Sequence, residues 1–173
     1  MTRGEIKLTG GELAPLKSFV EKLSEIGIEL KEKKNDISVK RNNDKIGPIK
    51  IKTQPYPGFP TDLQAQMMVL LSIGEGVSTI EECIFENRFM HVPELNRMGA
   101  NIRTEGRKAF ISGVGQLKGV PVMATDLRAS VSLVLAGLVA KGETVIDKTH
   151  HLDRGYEYLV SKLSDCGAVI ERI

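Results

Sequence analysis

Five charged residues stand where their types and spacing could do chemistry. Asp62 in "PTDLQAQ" (60–66) and Asp126 in "ATDLRAS" (124–130) each follow a threonine at the head of a long, almost uncharged run. Arg88 in "FENRFMHVPEL", Arg128 in the second of those motifs and Arg154 in "LDRGYEYL" lie just before, or in the first turn of, expected helices. Thr61 and Thr125 suit N-cap positions, and Gln64 completes a capping box in the first copy. The aspartates then take the first helical position, where the helix dipole favours an anion by about 0.3–1 kcal/mol. The arginines, with Asp153 as the expected cap before Arg154, oppose that dipole. A helix start offers unpaired N–H groups to an anion, and a guanidinium held there adds a planar fork that matches phosphate or carboxylate. The chemistry expected is the binding of a small, highly charged anion beside a polar group that needs an acid residue. Pairing within the domain, such as Asp126 with Arg128, is the structural alternative.

Other chemistry-bearing residues carry less. His91, His150 and His151 lack metal-ligand spacing, so no metal is expected. Cys83 and Cys166 form no C-x-x-C pair and read as small packing residues in a reducing compartment. There is no P-loop, G-x-G-x-x-G, nucleophile elbow or H-E-x-x-H.

The elements that must position the five residues repeat. "GEIKL" from Gly4, "GVSTI" from Gly76 and "GETVI" from Gly142 each place a β-rich strand after a turn, and each leads to a helix ended by a glycine: Gly27, Gly99 and Gly167. The period is about seventy residues, giving units of about 4–75, 76–141 and 142–173, the last a partial one, within a single domain spanning 1–173. The first helix of a unit is amphipathic, with Leu13, Leu16, Val20, Leu23 and Ile26 on one face. Short strands follow at Ile28–Leu30, Ile37–Val39 and Ile49–Ile51, with "KKND" and "NND" as turns. "ANIRT", "KAFISG" and "VPVMA" are their counterparts in the second unit. The second helices, "LQAQMMVLLSIG" and "LRASVSLVLAGLVAKG", are apolar on nearly every face and so must be surrounded by protein. These patterns predict an α/β domain of repeated units with buried central helices and the amphipathic helices outside.

With 173 residues, 41% apolar and 27% charged, the chain can bury a real core. A net charge of +2, from 24 basic and 22 acidic residues, leaves no broad basic footprint for nucleic acid. The basic stretch Lys31–Lys52 is interrupted by Glu32, Asp36 and Asp44 and reads as a solvated hairpin face. The most apolar run, Ala129 to Ala140, is too short to cross a membrane, and no secretory leader follows Met1; a cytoplasmic protein is expected.

At "PYPGFPTDLQAQ", "FENRFMHVPELNRMGA", "MATDLRAS" and "DRGYEYL" the sequence resembles the UDP-N-acetylglucosamine 1-carboxyvinyltransferase family of enolpyruvyl transferases. The resemblance implies an inside-out α/β barrel domain of βαβαββ units, facing an N-terminal-half domain that this chain lacks. It implies transfer of enolpyruvyl from phosphoenolpyruvate to the 3-hydroxyl of UDP-N-acetylglucosamine, the opening step of peptidoglycan synthesis, with no cofactor. Asp62 matches the aspartate beside that hydroxyl, with orientation, or proton acceptance concerted with attack, as its expected role. Ile84 matches an apolar residue that touches the nucleotide sugar. Arg88 and Arg154 match arginines on the phosphoenolpyruvate side, and Asp126 and Arg128 match residues near the closed cleft. The family's catalytic-loop cysteine belongs to the other domain, so neither Cys83 nor Cys166 corresponds to it and the isolated chain is expected not to turn over. The alternatives are a 3-phosphoshikimate 1-carboxyvinyltransferase domain and a non-catalytic module of the same fold.

Overall fold

In the computed structural model, which describes residues 1–2, 4–41 and 45–173 (Ala129 by its backbone alone), the repeats form three sheets of unequal size. Strands β1 (Glu5–Thr9) and β2 (Ile28–Lys33) both pair antiparallel with β3 (Asp36–Arg41), and helix α1 (Lys17–Glu25) connects β1 to β2. The turn expected at 42–44 lies outside the described residues. The second sheet has the order β4-β5-β7-β6, built from β4 (Lys50–Lys52), β5 (Val77–Glu81), β6 (Asn101–Glu105) and β7 (Lys108–Ser112). Here β4, read from sequence as the end of the first unit, runs parallel to β5 across the Gly76 turn. Helix α2 (Gln64–Ser72) is the crossover between them, and α3 (Val92–Arg97) links β5 to β6. The hydrogen-bonded unit is therefore β-α-β-α-β-β. The third sheet is the parallel pair β8 (Val122–Met123) and β9 (Ile146–Asp147), joined by α4 (Leu127–Val139) and followed by α5 (His150–Asp153) and α6 (Leu159–Asp165).

The uncharged helices lie inside. Ala65 and Met67 to Ser72 of α2 are buried, as are Val131, Leu133, Val134 and Ala136 of α4, and the two helices pack on each other. The second sheet covers α2 through β5 and β7. Burial of a Leu or Met side chain contributes about 1.5–3 kcal/mol, so these two helices anchor the core on which both Thr-Asp-Leu motifs sit. The closing glycines behave as the spacing predicts: Gly27, Gly99 and Gly167 have φ of 85°, 89° and 89°. At Gly99 the next amide, Ala100 N–H, donates to Leu95 O at 3.0 Å while Gly99 N–H donates to Asn96 O at 3.0 Å, the paired bonds of a Schellman end.

Candidate functional site

The two helix starts differ from the capping read from sequence. In the first copy a 3-10 turn, Thr61–Leu63, precedes α2; its N-cap is Pro60 and no side chain caps it. The Thr61 hydroxyl caps no helix N–H; it donates instead to Glu82 Oε2 at 2.8 Å. Gln64 forms no capping box: it is 2% exposed and turned into the core, with Nε2 lacking a partner. In the second copy the cap is one residue later than expected. Asp126, not Thr125, accepts the Arg128 N–H on Oδ1 at 2.9 Å, and its carbonyl accepts the Ser130 N–H at 2.8 Å. Helix α4 accordingly begins at Leu127.

Arg128, in the first turn of α4, reaches back to the first copy: its Nε donates to Asp62 Oδ1. One guanidinium thereby joins the two Thr-Asp-Leu motifs. Both ends of this pair stay open to solvent, with side-chain exposures of 39% for Arg128 and 62% for Asp62. Asp126, Leu127, Arg128, His151 and Arg154 line an open recess of about 420 Å³. Arg154 enters it differently from the expectation that Asp153 caps a helix ahead of it. Helix α5 ends at Asp153 and Arg154 is its C-cap, where a cation suits the dipole. The chain then passes close over the start of α4, since a Cβ on Gly155 would lie 2.8 Å from Leu127 Cδ1.

Ile84 and Arg88 lie on the loop between β5 and α3. Ile84 is half-buried, and its N–H donates to Glu82 Oε1 at 2.9 Å. Arg88 stacks on Phe85 of its own loop, Cζ lying 4.3 Å from the ring centre. The residue before it, Asn87, has φ of 54°, a left-handed conformation that asparagine tolerates better than most.

Four residues near these groups were not singled out as site residues in the sequence. Glu82, 1% exposed, carries the hydrogen bonds that tie Thr61 to Ile84. His151 lines the recess. Tyr156 accepts a long hydrogen bond of 3.5 Å from Gln66 Nε2. Burial pushes its phenol above the ordinary value; the Asp62 charge acts in the same direction, and Gln66 and Arg128 act against it. His91, 2% exposed, has Nε2 without a partner. Burial lowers its pKa to about 4, with Asp126 opposing, so the imidazole is neutral at neutral pH. Among the described residues no group of His, Cys, Asp and Glu could hold a metal ion, and no helix is long and apolar enough to cross a membrane.

The chain is similar to known proteins over its whole length. It is 57% identical over 173 residues to a UDP-N-acetylglucosamine 1-carboxyvinyltransferase of Dinoroseobacter shibae, and 58% identical over 170 residues to one of Ruegeria pomeroyi. These matches cover 100% and 98% of this chain but 41% and 40% of the relatives, so the chain spans about two fifths of their length. The crystal structure of the enolpyruvyl transferase NikO from Streptomyces tendae superposes with a TM-score of 0.85 at 28% identity, covering 96% of this chain and 40% of that one. An EPSP synthase of Acinetobacter baumannii, 21% identical with a TM-score of 0.59 over 83% of this chain and 35% of that one, shares the fold. A family model described as EPSP synthase (3-phosphoshikimate 1-carboxyvinyltransferase) matches residues 1–163. With an α/β fold shared with these structures and a family match over nearly its full length, the chain belongs to the EPSP synthase family.

Proposed function

We propose that this chain is one lobe of a UDP-N-acetylglucosamine 1-carboxyvinyltransferase, an inside-out α/β barrel domain whose site faces a second domain in the longer polypeptide. The observation that carries the reading is the junction at Arg128, where a carboxylate on one repeat and a recess lined by Arg128 and Arg154 on the next meet. Such a junction suits a reaction that brings an anion to a hydroxyl.

In the proposed reaction C3 of phosphoenolpyruvate takes a proton and the sugar 3-hydroxyl attacks C2, losing its own proton. The tetrahedral adduct then loses a proton from C3 as the C2–O bond to phosphate breaks, giving the enolpyruvyl ether and phosphate. Asp62 orients the hydroxyl and accepts its proton as the C–O bond forms. Arg128 and Arg154 offset the carboxylate and phosphate charge as it redistributes. A guanidinium has five N–H donors, so engaging Asp62 through Nε leaves Nη donors for the anion. Asp126 keeps Arg128 in register by capping α4. Ile84 supplies an apolar contact to the nucleotide sugar, and Arg88 adds a further cation on the adjoining loop. No metal or organic cofactor enters this scheme. The second domain supplies the remaining catalytic groups, so the lobe alone does not turn over. The activity would serve peptidoglycan synthesis in the cytoplasm, and through it cell shape and division.

The runner-up is the shikimate-pathway transferase, whose name the matching family model bears. Identities of 57% and 58% to the nucleotide-sugar enzymes, against 21% to an EPSP synthase, favour the first reading. Titration of the full-length protein with both acceptors tests it. Saturable phosphate release with UDP-N-acetylglucosamine is expected, and saturation by shikimate 3-phosphate alone would overturn the assignment.

A further inference from the structure

Glu82 lies just past the end of β5, fully enclosed, and its own N–H donates to Arg107 O at 2.8 Å. Its two carboxylate oxygens serve different parts of the site. Oε1 accepts the Thr53 hydroxyl at 2.9 Å, the Ile84 N–H at 2.9 Å and the Phe85 N–H at 3.2 Å. Oε2 accepts the Thr61 hydroxyl at 2.8 Å, one residue before Asp62. Thr53, itself fully buried beyond the end of β4, accepts the Cys83 N–H at 2.8 Å, which closes the network on the loop side.

Burying a carboxylate is costly unless hydrogen bonds replace its lost hydration, and here the groups that do so are neutral hydroxyls and backbone amides. A carboxylate offers acceptor sites on both oxygens, which no other side chain of this length does. Both oxygens are used here, one filled by the loop carrying Ile84 and the other by the turn carrying Asp62. These segments are distant in sequence and lie on different elements, and Glu82 touches both.

We propose that Glu82 is a positioning residue that fixes Asp62 and Ile84 in one rigid frame, setting the acid residue against the apolar contact for the acceptor. The catalytic part of this proposal rests on the transferase reading above. The geometry separates two arms. Thr61→Val removes the bond on the Asp62 side and leaves the Ile84 side intact. Glu82→Gln keeps an acceptor oxygen for the Ile84 side, and its amide can donate to a rotated Thr61 hydroxyl. Glu82→Ala releases both.

The test is steady-state kinetics of the full-length protein with UDP-N-acetylglucosamine and phosphoenolpyruvate each varied, together with amide hydrogen exchange of residues 61–63 and 84–86. A hydrogen bond to a charged group is worth roughly tenfold or more in rate when its loss misplaces a reacting group. Thr61→Val is expected to lower kcat about tenfold with little change in KM for the sugar. Glu82→Gln should stay within about threefold of wild type in both parameters. Glu82→Ala should lower kcat and raise KM for the sugar while KM for phosphoenolpyruvate stays put, and should speed exchange in both segments together. The proposal is overturned if Thr61→Val matches wild type, if Glu82→Gln is as impaired as Glu82→Ala, or if Glu82→Ala raises both KM values in parallel. If Glu82→Ala does not fold, Thr61→Val and Glu82→Gln decide. If wild type does not turn over the nucleotide sugar, the transferase reading falls by itself. Exchange then decides on the frame: coupled release of both segments in Glu82→Ala upholds it, and release of one or neither removes it.

Discussion

At the start of α2, the Thr61 hydroxyl is bound to Glu82 and the Asp62 carboxylate is left 62% exposed; at the start of α4, the Asp126 carboxylate is bound to the Arg128 N–H of its own helix. The two segments share Thr-Asp-Leu and the same apolar continuation, yet one presents its acid and the other uses it as a cap. The difference lies in what is packed beside each copy. A buried carboxylate takes the threonine of the first, and a neutral buried histidine, His91, lies close enough to Asp126 for its charge to act on the imidazole. The repeated motif provides two similar helix starts, and their tertiary neighbours give them different hydrogen-bond partners. Arg128 then joins them, so the capping copy orients the cation that meets the presented acid.

The largest expected effect breaks the presented copy. If Asp62 accepts the hydroxyl proton as proposed, Asp62→Ala in the full-length protein should lower kcat/KM for the sugar by about 10²–10⁴-fold, the range for general acid–base catalysis, with stability changed by less than about 1 kcal/mol because the side chain is exposed. Asp62→Asn keeps the shape and should be similarly impaired in kcat. A loss under tenfold in both variants would leave the two copies with no functional asymmetry.

Next in size is a pH effect beneath the second copy. The His91 pKa is about 4 in the folded chain against 6.5 when unfolded, so between those values the unfolded state binds the extra proton. Stability is therefore full above about pH 6.5, falls as pH drops toward 4 and levels off below it, by up to about 3 kcal/mol. Denaturant unfolding at several pH values should show this slope, and His91→Asn should flatten it. A slope unchanged by the substitution would assign the acid sensitivity to other groups.

The cap itself comes third. Asp126→Ala should destabilise the fold by about 1 kcal/mol, the usual value of an N-cap, whereas Thr125→Ala should cost less than about 0.5 kcal/mol. The reverse order would put the cap back where local sequence suggested it.

The scaffold was far more legible than the site's wiring. Closing glycines at 27, 99 and 167 and helices without a polar face are strictly local signals, and each repeat confirmed the others. Capping is local too, yet the structure differs at both copies: Thr61 turns to a carboxylate twenty-one residues away, and Asp126 rather than Thr125 accepts the Arg128 N–H. Arg154 fell at the end of a short helix rather than the start of one, since nothing in "HHLDRGYEYL" marks where a single turn stops. Glu82 was unreadable for a different reason. In "IEEC" it looks like a solvated strand-end charge, and only the approach of β4 and the α2 turn encloses it. A second acid beside an otherwise apolar strand end, followed by a loop rich in site residues, is the signal that could have raised it.

The smallest effect bears on what the bridge between the copies is for. Exposed ion pairs contribute about 0–1 kcal/mol to stability, and with exposures of 39% and 62% the Arg128–Asp62 pair belongs in that range. A double-mutant cycle of Asp62→Asn and Arg128→Gln, read by denaturant unfolding, should give a coupling below about 1 kcal/mol. On the proposed reading, in which each group sets the other's position relative to the substrates, the same cycle read as kcat/KM should give a larger one. Equal couplings would make the pair a surface contact between repeats, and the contrast between a presented and a capping acid would then be a matter of packing alone.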